Sequence, residues 1–277
     1  MPNLDSGVDE PVSATARIKV RKTNRDAEIT DYVVGEEPLE IRLETAEGKQ
    51  QLAVTMRTPG ADNELGAGFL WSEGLLRNRD DLIAITSCKD ADLTPREREN
   101  IIVAHVKFGS PALSRVLDRR FTISSACGVC GSTQIEDLRE RGCADVAPVT
   151  LPIEKLVDLP NLMRPRQKIF EKTGGLHAAG LFDPRGNLVI VREDVGRHNA
   201  VDKVIGYALM NNLIPLSGYS LAISGRGGYE IIQKAISAGI SAVVAVSAPT
   251  SLAVETARAF GLTLLGFTRD GSATQYS

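Results

Sequence analysis

The stretch that most constrains the fold lies near the C-terminal end. Between residues 220 and 267 short apolar runs alternate with amphipathic ones: 220–224, a helix over 229–238, 242–247, a helix over 251–260, and 263–267. Strand–helix–strand–helix–strand with short links predicts parallel strands joined by right-handed crossovers. A hairpin over 175–182 and 188–192 precedes them. It leads into a helix whose apolar stripe is Val201, Val204, Ile205, Ala208 and Leu209. Further upstream the pattern changes. Runs at 17–21, 28–34, 39–45, 51–57, 82–86 and 101–108 read as strands. A helix over 62–76 opens with Asp62 as N-cap, and 90–100 reads as a charged loop. Two helices fill 153–172, with Pro160 and Pro165 breaking or starting them. The expected organisation is a disordered tail over 1–16, a smaller β-rich domain over 17–120 and an α/β domain over 121–277.

Bulk properties exclude several classes. A chain of 277 residues with 43% hydrophobic and 24% charged residues can bury a large core. A net charge of −3 exerts no global pull on nucleic acid or anionic membrane, so any anion site must be local. The first ten residues lack the basic and apolar regions of a signal peptide. The longest apolar stretch, 240–248, falls far short of the ~18 residues a membrane span needs. Four cysteines do not make a secreted disulfide framework, and the expected location is the cytoplasm.

Chemistry-bearing residues collect at the ends of the three expected parallel strands. These run into Ser224-Gly225-Arg226-Gly227-Gly228, Ser247-Ala248-Pro249-Thr250-Ser251 and Phe267-Thr268-Arg269-Asp270-Gly271. In open α/β sheets ligands bind beyond the carboxyl ends of strands, beside helix N-termini that favour anions. Glycine and serine also make ordinary tight turns, but three such junctions with two arginines favour a phosphate or nucleotide cradle. Neither a Walker A nor a G-x-G-x-x-G pattern is present. A second cluster is Glu193-Asp194-Val195-Gly196-Arg197-His198-Asn199, followed by Asp202 and Lys203. Asp194 can cap the helix that follows. Arg197 and His198 fall in its first turn, where the dipole disfavours a cation unless an anion lies nearby. His198 is therefore a candidate anion contact or proton donor, a buried and satisfied histidine being the other reading. A third cluster, Thr173-Gly174-Gly175-Leu176-His177-Ala178-Ala179, allows close backbone approach. His105, Cys88 and Cys143 stand alone and read as structural.

The remaining feature is a glycine-framed thiol pair, Cys127-Gly128-Val129-Cys130-Gly131, between an apolar run (121–123) and a helix over 133–141. Loop N–H groups and a helix N-terminus stabilise thiolate over thiol. A thiolate can exchange disulfides, ligate metal or carry a persulfide. The flanks lack the tryptophan and proline of a thioredoxin site. A zinc site would need His177, His198 or Cys143 to complete it. A zinc deaminase needs a proline where Ala126 stands and a glutamate where Ala179 stands. On spacing and flanks, persulfide carriage and redox chemistry stand level, with zinc below them.

Taken together these motifs resemble one family. The thiol loop, 173–179, 193–199 with Asp202-Lys203, Ser224-Gly225-Arg226, Ser247-Ala248-Pro249-Thr250, Gly266-Phe267-Thr268-Arg269 and Arg57-Thr58-Pro59-Gly60 look like the FdhD family of formate dehydrogenase accessory sulfurtransferases. The resemblance covers the chain from about residue 17. It implies a cytidine deaminase-like three-layer α/β domain with a smaller β-rich N-terminal domain, in a homodimer. It also implies a sulfur carrier that takes persulfide sulfur from a cysteine desulfurase. The acceptor would be the bis-molybdopterin guanine dinucleotide molybdenum cofactor, bound as substrate and destined for formate dehydrogenase. The family's persulfide falls on Cys127, with Cys130 as partner thiol. Its cofactor-binding stretch falls on Phe267, Thr268, Arg269, Asp270, Gly271 and Ser272, which joins Ser224, Gly225, Arg226, Arg197 and His198 from the strand-end reading. The alternatives are a cofactor-binding chaperone without sulfur transfer and a zinc or redox Cys-x-x-Cys protein. Gly228 and Ala126 stand where the family commonly has serine.

Overall fold

A computed structural model describes residues 12–24, 27–46, 48–107 and 131–277. The apolar run 121–123 and the thiol loop with Cys127 and Cys130 lie outside the described residues, as does most of the expected tail. What is described of that tail is structured. Val12 N–H donates to the Glu99 carboxylate at 2.9 Å, and β1 (Thr15–Arg21) already begins at Thr15. Thr15 pairs with Val34 of β2 (Glu28–Val34), so the ribbon claims the last tail residues.

Four further strands, β3 (Glu37–Thr45), β4 (Gly48–Arg57), β5 (Leu82–Ser87) and β6 (Ile101–Val106), form a sheet in the order β4-β3-β6-β5. Leu39, Ile41 and Leu43 alternate on the inner face of β3 and are fully buried. They pack on Leu65 and Leu70 of α1 (Asp62–Ser72). Asp62 does not cap this helix. The cap is Ala61, in the left-handed region at φ 55°, and the Asp62 carboxylate instead takes Nε and Nη2 of the buried Arg57, each at 3.0 Å. A guanidinium with no exposure recruits the nearest carboxylate. The charged stretch 90–100 is not all loop. Thr94 and Glu97 form a capping box that starts the short helix α2 (Pro95–Glu99).

The second sheet has six strands in the order β12-β11-β10-β9-β7-β8. Strands β9 (Ser220–Ile223), β10 (Ala242–Ala245) and β11 (Thr263–Arg269) are parallel, as the alternation predicted. The antiparallel hairpin β7 (His177–Phe182) and β8 (Leu188–Asp194) joins through β7. On one face lie α3 (Gly131–Glu140), α7 (Arg197–Met210), α8 (Tyr229–Ser237) and α9 (Ser251–Ala259). On the other are the short helices α4 (Ile153–Leu156) and α5 (Leu159–Met163). In β9, Leu221 and Ile223 point to the first layer and Ala222 to the second. Three short helices occupy the segment expected to hold two: α6 (Lys168–Thr173) follows a 3-10 turn at Arg164–Arg166. Among the described residues no helix is long and apolar enough to cross a membrane.

Helix α1 is apolar on more than one side because it is sandwiched between the four-stranded sheet and α7. The crossing is backbone to backbone. A Cβ on Gly68 would stand 1.8 Å from the Asp202 carbonyl oxygen, and one on Gly206 would stand 1.8 Å from that of Glu64. The Glu64 carboxylate also takes Nε and Nη2 of Arg192 on β8. Helix propensity alone would make Gly68→Ala stabilising by about 1 kcal/mol. Because backbone cannot yield as a side chain does, we expect both Gly68→Ala and Gly206→Ala to destabilise by about 3 kcal/mol in urea unfolding. A stabilised variant would mean that the two helices do not meet at these glycines.

Candidate functional site

A buried polar lock sets the shape of the site. The Asp194 carboxylate at the end of β8 is fully buried and lies 2.7 Å from Nζ of Lys203, which is 2% exposed. Asp194 also accepts from the N–H groups of Thr58 (3.2 Å) and Gly196 (2.8 Å) and from Nδ2 of Asn199 (3.1 Å). Lys203 donates to the Thr58 carbonyl at 2.9 Å, and Val195 N–H donates to the Thr58 hydroxyl at 3.1 Å. The N-cap of α7 is Gly196, so Asp194 stands two residues before the cap, holding the turn that leads into the helix. A second buried pair, Asp202 with Lys234 at 2.8 Å and the Ser72 hydroxyl at 2.9 Å, ties α7 to α8 and α1. Most of the 193–203 motif is therefore scaffold. Glu193 belongs to it too, accepting from the Ile169 and Phe170 N–H groups in the first turn of α6.

With this turn fixed, the carboxyl ends of β8, β9, β10 and β11 and the start of β7 share one sheet edge. Ala178 N–H donates to the Ser224 hydroxyl at 2.9 Å, and Ser224 N–H to the Ala178 carbonyl at 3.0 Å. A Cβ on Gly225 would lie 3.3 Å from Nδ1 of His177 and 3.9 Å from Cβ of Arg197, so these three residues meet. Beside them is a cleft of about 570 Å³. Arg164, Gln167, Phe170, His177, Ser224, Val246, Thr268, Arg269 and Asp270 are among its lining residues. Two polar groups in its wall have no partner among the described residues: Nε2 of Gln167 (3% exposed) and the hydroxyl of Thr268 (2% exposed). Such buried groups are costly unless a ligand or water meets them.

The electrostatics select anions. The helices after β8, β9 and β10 turn their N-termini to this edge. Arg164, Arg197, Arg226 and Arg269 have no ion pair among the described residues. His198 points elsewhere, its Nε2 lying 2.6 Å from the Glu230 carboxylate, so it is a satisfied ion-pair partner. Burial pushes the His177 imidazole below its ordinary value, and the positive charges of Arg197 and His198 push it further.

The last junction differs from the expected strand-to-helix turn. Asp270 (φ 51°) and Gly271 (φ 71°) form a two-residue hairpin turn into β12 (Ser272–Gln275), which pairs antiparallel with β11. Asp-Gly between extended runs is itself the hairpin signal that would have found it. Phe267 is bulged outward at φ 52°, nearly half exposed, while Thr268 turns in. A bulky residue held there costs about 1–3 kcal/mol. Of the expected ligand contacts, Ser224, Thr268, Arg269 and Asp270 line the cleft, with Gly225 and Arg197 against His177. Phe267, Arg226, Gly271 and Ser272 are not among its lining residues. Gly228 caps α8 with open space at its Cβ position, so the serine common there would fit. Gln167, Phe170 and Arg164 escaped the sequence reading, since proline breaks obscured how this segment folds back over the sheet.

The strand ends of this α/β protein gather arginines, helix N-termini and two buried polar groups without partners among the described residues, an arrangement that suits an anion. Residues 34–277 match the FdhD/NarQ family, and the chain belongs to it. It is 47% identical over 268 residues to the sulfur carrier protein FdhD of Streptomyces coelicolor, covering 95% of this chain and 94% of that one. It is 41% identical over 263 residues to the protein of the same name from Saccharolobus solfataricus, covering 94% and 93%. The fold matches a crystal structure of a candidate formate dehydrogenase accessory protein from Desulfotalea psychrophila, with TM-score 0.70 and 22% identity over 96% of this chain and 97% of that one.

His177 reports on occupancy of the site. Because its folded value is lowered, the stability it contributes is present above the ordinary 6.5 and is lost as pH falls through the folded value. An anion against Arg197 would offset the repulsion. An NMR titration is expected to place its midpoint below 6.5 in the free protein and to move it upward with added pyrophosphate. A midpoint at 6.5, unmoved by the anion, would contradict the geometry.

Proposed function

We propose that this chain is a sulfur carrier whose cleft holds the nucleotide end of the bis-molybdopterin guanine dinucleotide molybdenum cofactor while Cys127 supplies sulfur to it. The observation that carries the reading is the cleft itself. About 570 Å³ is the size of a small-ligand site. Gln167 and Thr268 offer polar groups to a heteroaromatic base, and the arginines and helix N-termini suit a pyrophosphate. Membership of the family and the names of the relatives support the sulfur chemistry. On this reading the three-layer domain is cytidine deaminase-like, and its deaminase chemistry is gone with the glutamate that Ala179 replaces.

The Cys127 thiolate attacks the outer sulfur of a persulfide on a cysteine desulfurase. The S–S bond there breaks, the desulfurase cysteine leaves as thiolate, and Cys127 holds the persulfide. Attack by the Cys130 thiolate on the inner sulfur of Cys127 then forms a Cys127–Cys130 disulfide and releases hydrosulfide. The two thiols supply both electrons for that reduction, and the sulfide passes to the cofactor bound in the cleft, which then goes to formate dehydrogenase.

Intact mass after incubation with cysteine and a cysteine desulfurase tests the carrier step. We expect a gain of one sulfur atom that is lost in Cys127→Ala and kept in Cys130→Ala. Calorimetry with GDP tests the cleft, where Thr268→Val and Arg269→Ala should each weaken binding about tenfold, near 1.4 kcal/mol. Normal GDP binding with no sulfur gain would leave a cofactor chaperone without sulfur transfer. Sulfur gain with no effect of the cleft variants would remove the cofactor from this cleft.

A further inference from the structure

Exposed cations cluster beside the cleft beyond what the fold uses. Along β1, Arg17, Lys19 and Arg21 alternate, so they share one face of the ribbon, and Lys22 follows them. All four are exposed, and none has an ion pair among the described residues. Arg17 is paired with Tyr32 on β2, and the Tyr32 ring lies 3.7 Å from Nζ of Lys172. That contact joins the ribbon's basic face to a second basic run, in which Arg164, Arg166, Lys168 and Lys172 are exposed and make no ion pair among the described residues. Glu28 and Glu171 lie within these runs, Glu36 and Glu37 line a hollow with Arg17 and Lys172, and Asp31 is on the ribbon's other face, so the described cations outnumber the nearby carboxylates in a chain whose net charge is −3.

The base of the ribbon packs against the second run, which borders the cleft. Arg164, Gln167, Phe170, Gly174 and Gly175 line it, while a Cβ on Gly175 would come within 2.8 Å of the Val34 side chain at the ribbon's base. One segment thus has the cleft on one side and the ribbon on the other. The ribbon contributes little to the core: Ile18 and Val33 on its other face are 40% and 37% exposed. A two-stranded ribbon is marginal by itself, and clustered like charges repel. All of β1, and β2 up to its last residue, also precede the stretch that matches the family, 34–277. None of the four ribbon cations lines the cleft itself.

We propose that the ribbon and the 164–172 segment form a docking face for an acidic surface on the enzyme that receives the cargo, the cofactor-free formate dehydrogenase. This rests on the function proposed above, because the receiving enzyme must come up to the mouth of the cleft. A local basic stripe on a negatively charged molecule orients an acidic protein, whereas an extended polyanion meets repulsion beyond the stripe.

The test uses the full chain and the cognate formate dehydrogenase purified without its cofactor, with binding followed by interferometry. We expect R17E/K19E/R21E and, independently, R166E/K168E to weaken association at least about tenfold, mainly through a slower on-rate, with a shallower salt dependence than the parent. GDP binding by the ribbon variant should stay unchanged. Because the two variants alter different elements, a folding defect in one leaves the other informative. Parent-like binding by both would overturn the proposal. So would a parent chain that takes GDP but does not bind the dehydrogenase, or whose charge-dependent binding is to anionic vesicles or single-stranded DNA instead; the cargo reading would survive each of these results. A parent chain that takes no GDP would instead remove the cargo reading and the docking face with it.

Discussion

One buried ion pair organises the molecule. Asp194 and Lys203 sit almost wholly out of water, and such a pair persists only where further hydrogen bonds complete it. Here one partner comes from far away in sequence, the backbone of Thr58 just past the end of the first sheet, and one from close by, the side chain of Asn199. Losing either member would leave an uncompensated charge, at a cost of about 3–5 kcal/mol. The same contacts fix the turn 194–196, and with it the direction of α7 and the position of Arg197. Joining the two sheets and shaping the site are therefore one interaction.

Placement of charge then follows from topology. Three parallel strands with crossovers on one face send successive helix N-termini to one edge, and β7, running the other way, begins there with His177. The acidic residues nearby are committed elsewhere: Asp194 to Lys203, Glu193 to the start of α6, and Glu230 to His198. Among the described residues the arginines at this edge make no ion pair, Asp270 being the carboxylate that lines the cleft with them, and two buried polar side chains have no partner. The basic ribbon continues that imbalance outward from the cleft. Site and surface are then two parts of one electrostatic field.

Much of this was legible in the sequence where periodicity is strong. The parallel strands, their two helices, the hairpin before them and the extended N-terminal runs all lie close to where the patterns placed them. Errors came where a tertiary partner overrode a local preference. Asp62 is a good N-cap by type, but a buried arginine claims it. Asp194 is another good cap by type, but a buried lysine claims that one. Of the two readings of His198, ligand contact or satisfied histidine, the carboxylate of Glu230 on the next helix favours the second. The segment 153–172 was obscured by its prolines, and it carries Gln167 and Phe170 into the cleft.

By itself the sequence determined the class of fold, the family and the residue types available for chemistry, because hydrophobic period, glycine placement and ordered motifs are local properties. It could not say which motif residues build and which bind. Asp194, Asn199, Asp202 and Lys203 share a motif with Arg197, yet the first four are buried in scaffold contacts and only the last faces the site. That division depends on which side of α7 meets α1 and on the close approach at Gly68 and Gly206, a contact between residues more than a hundred positions apart. The same holds for Thr268 and Gln167, whose unpaired groups share one cleft only after the sheet and its covering helices have packed.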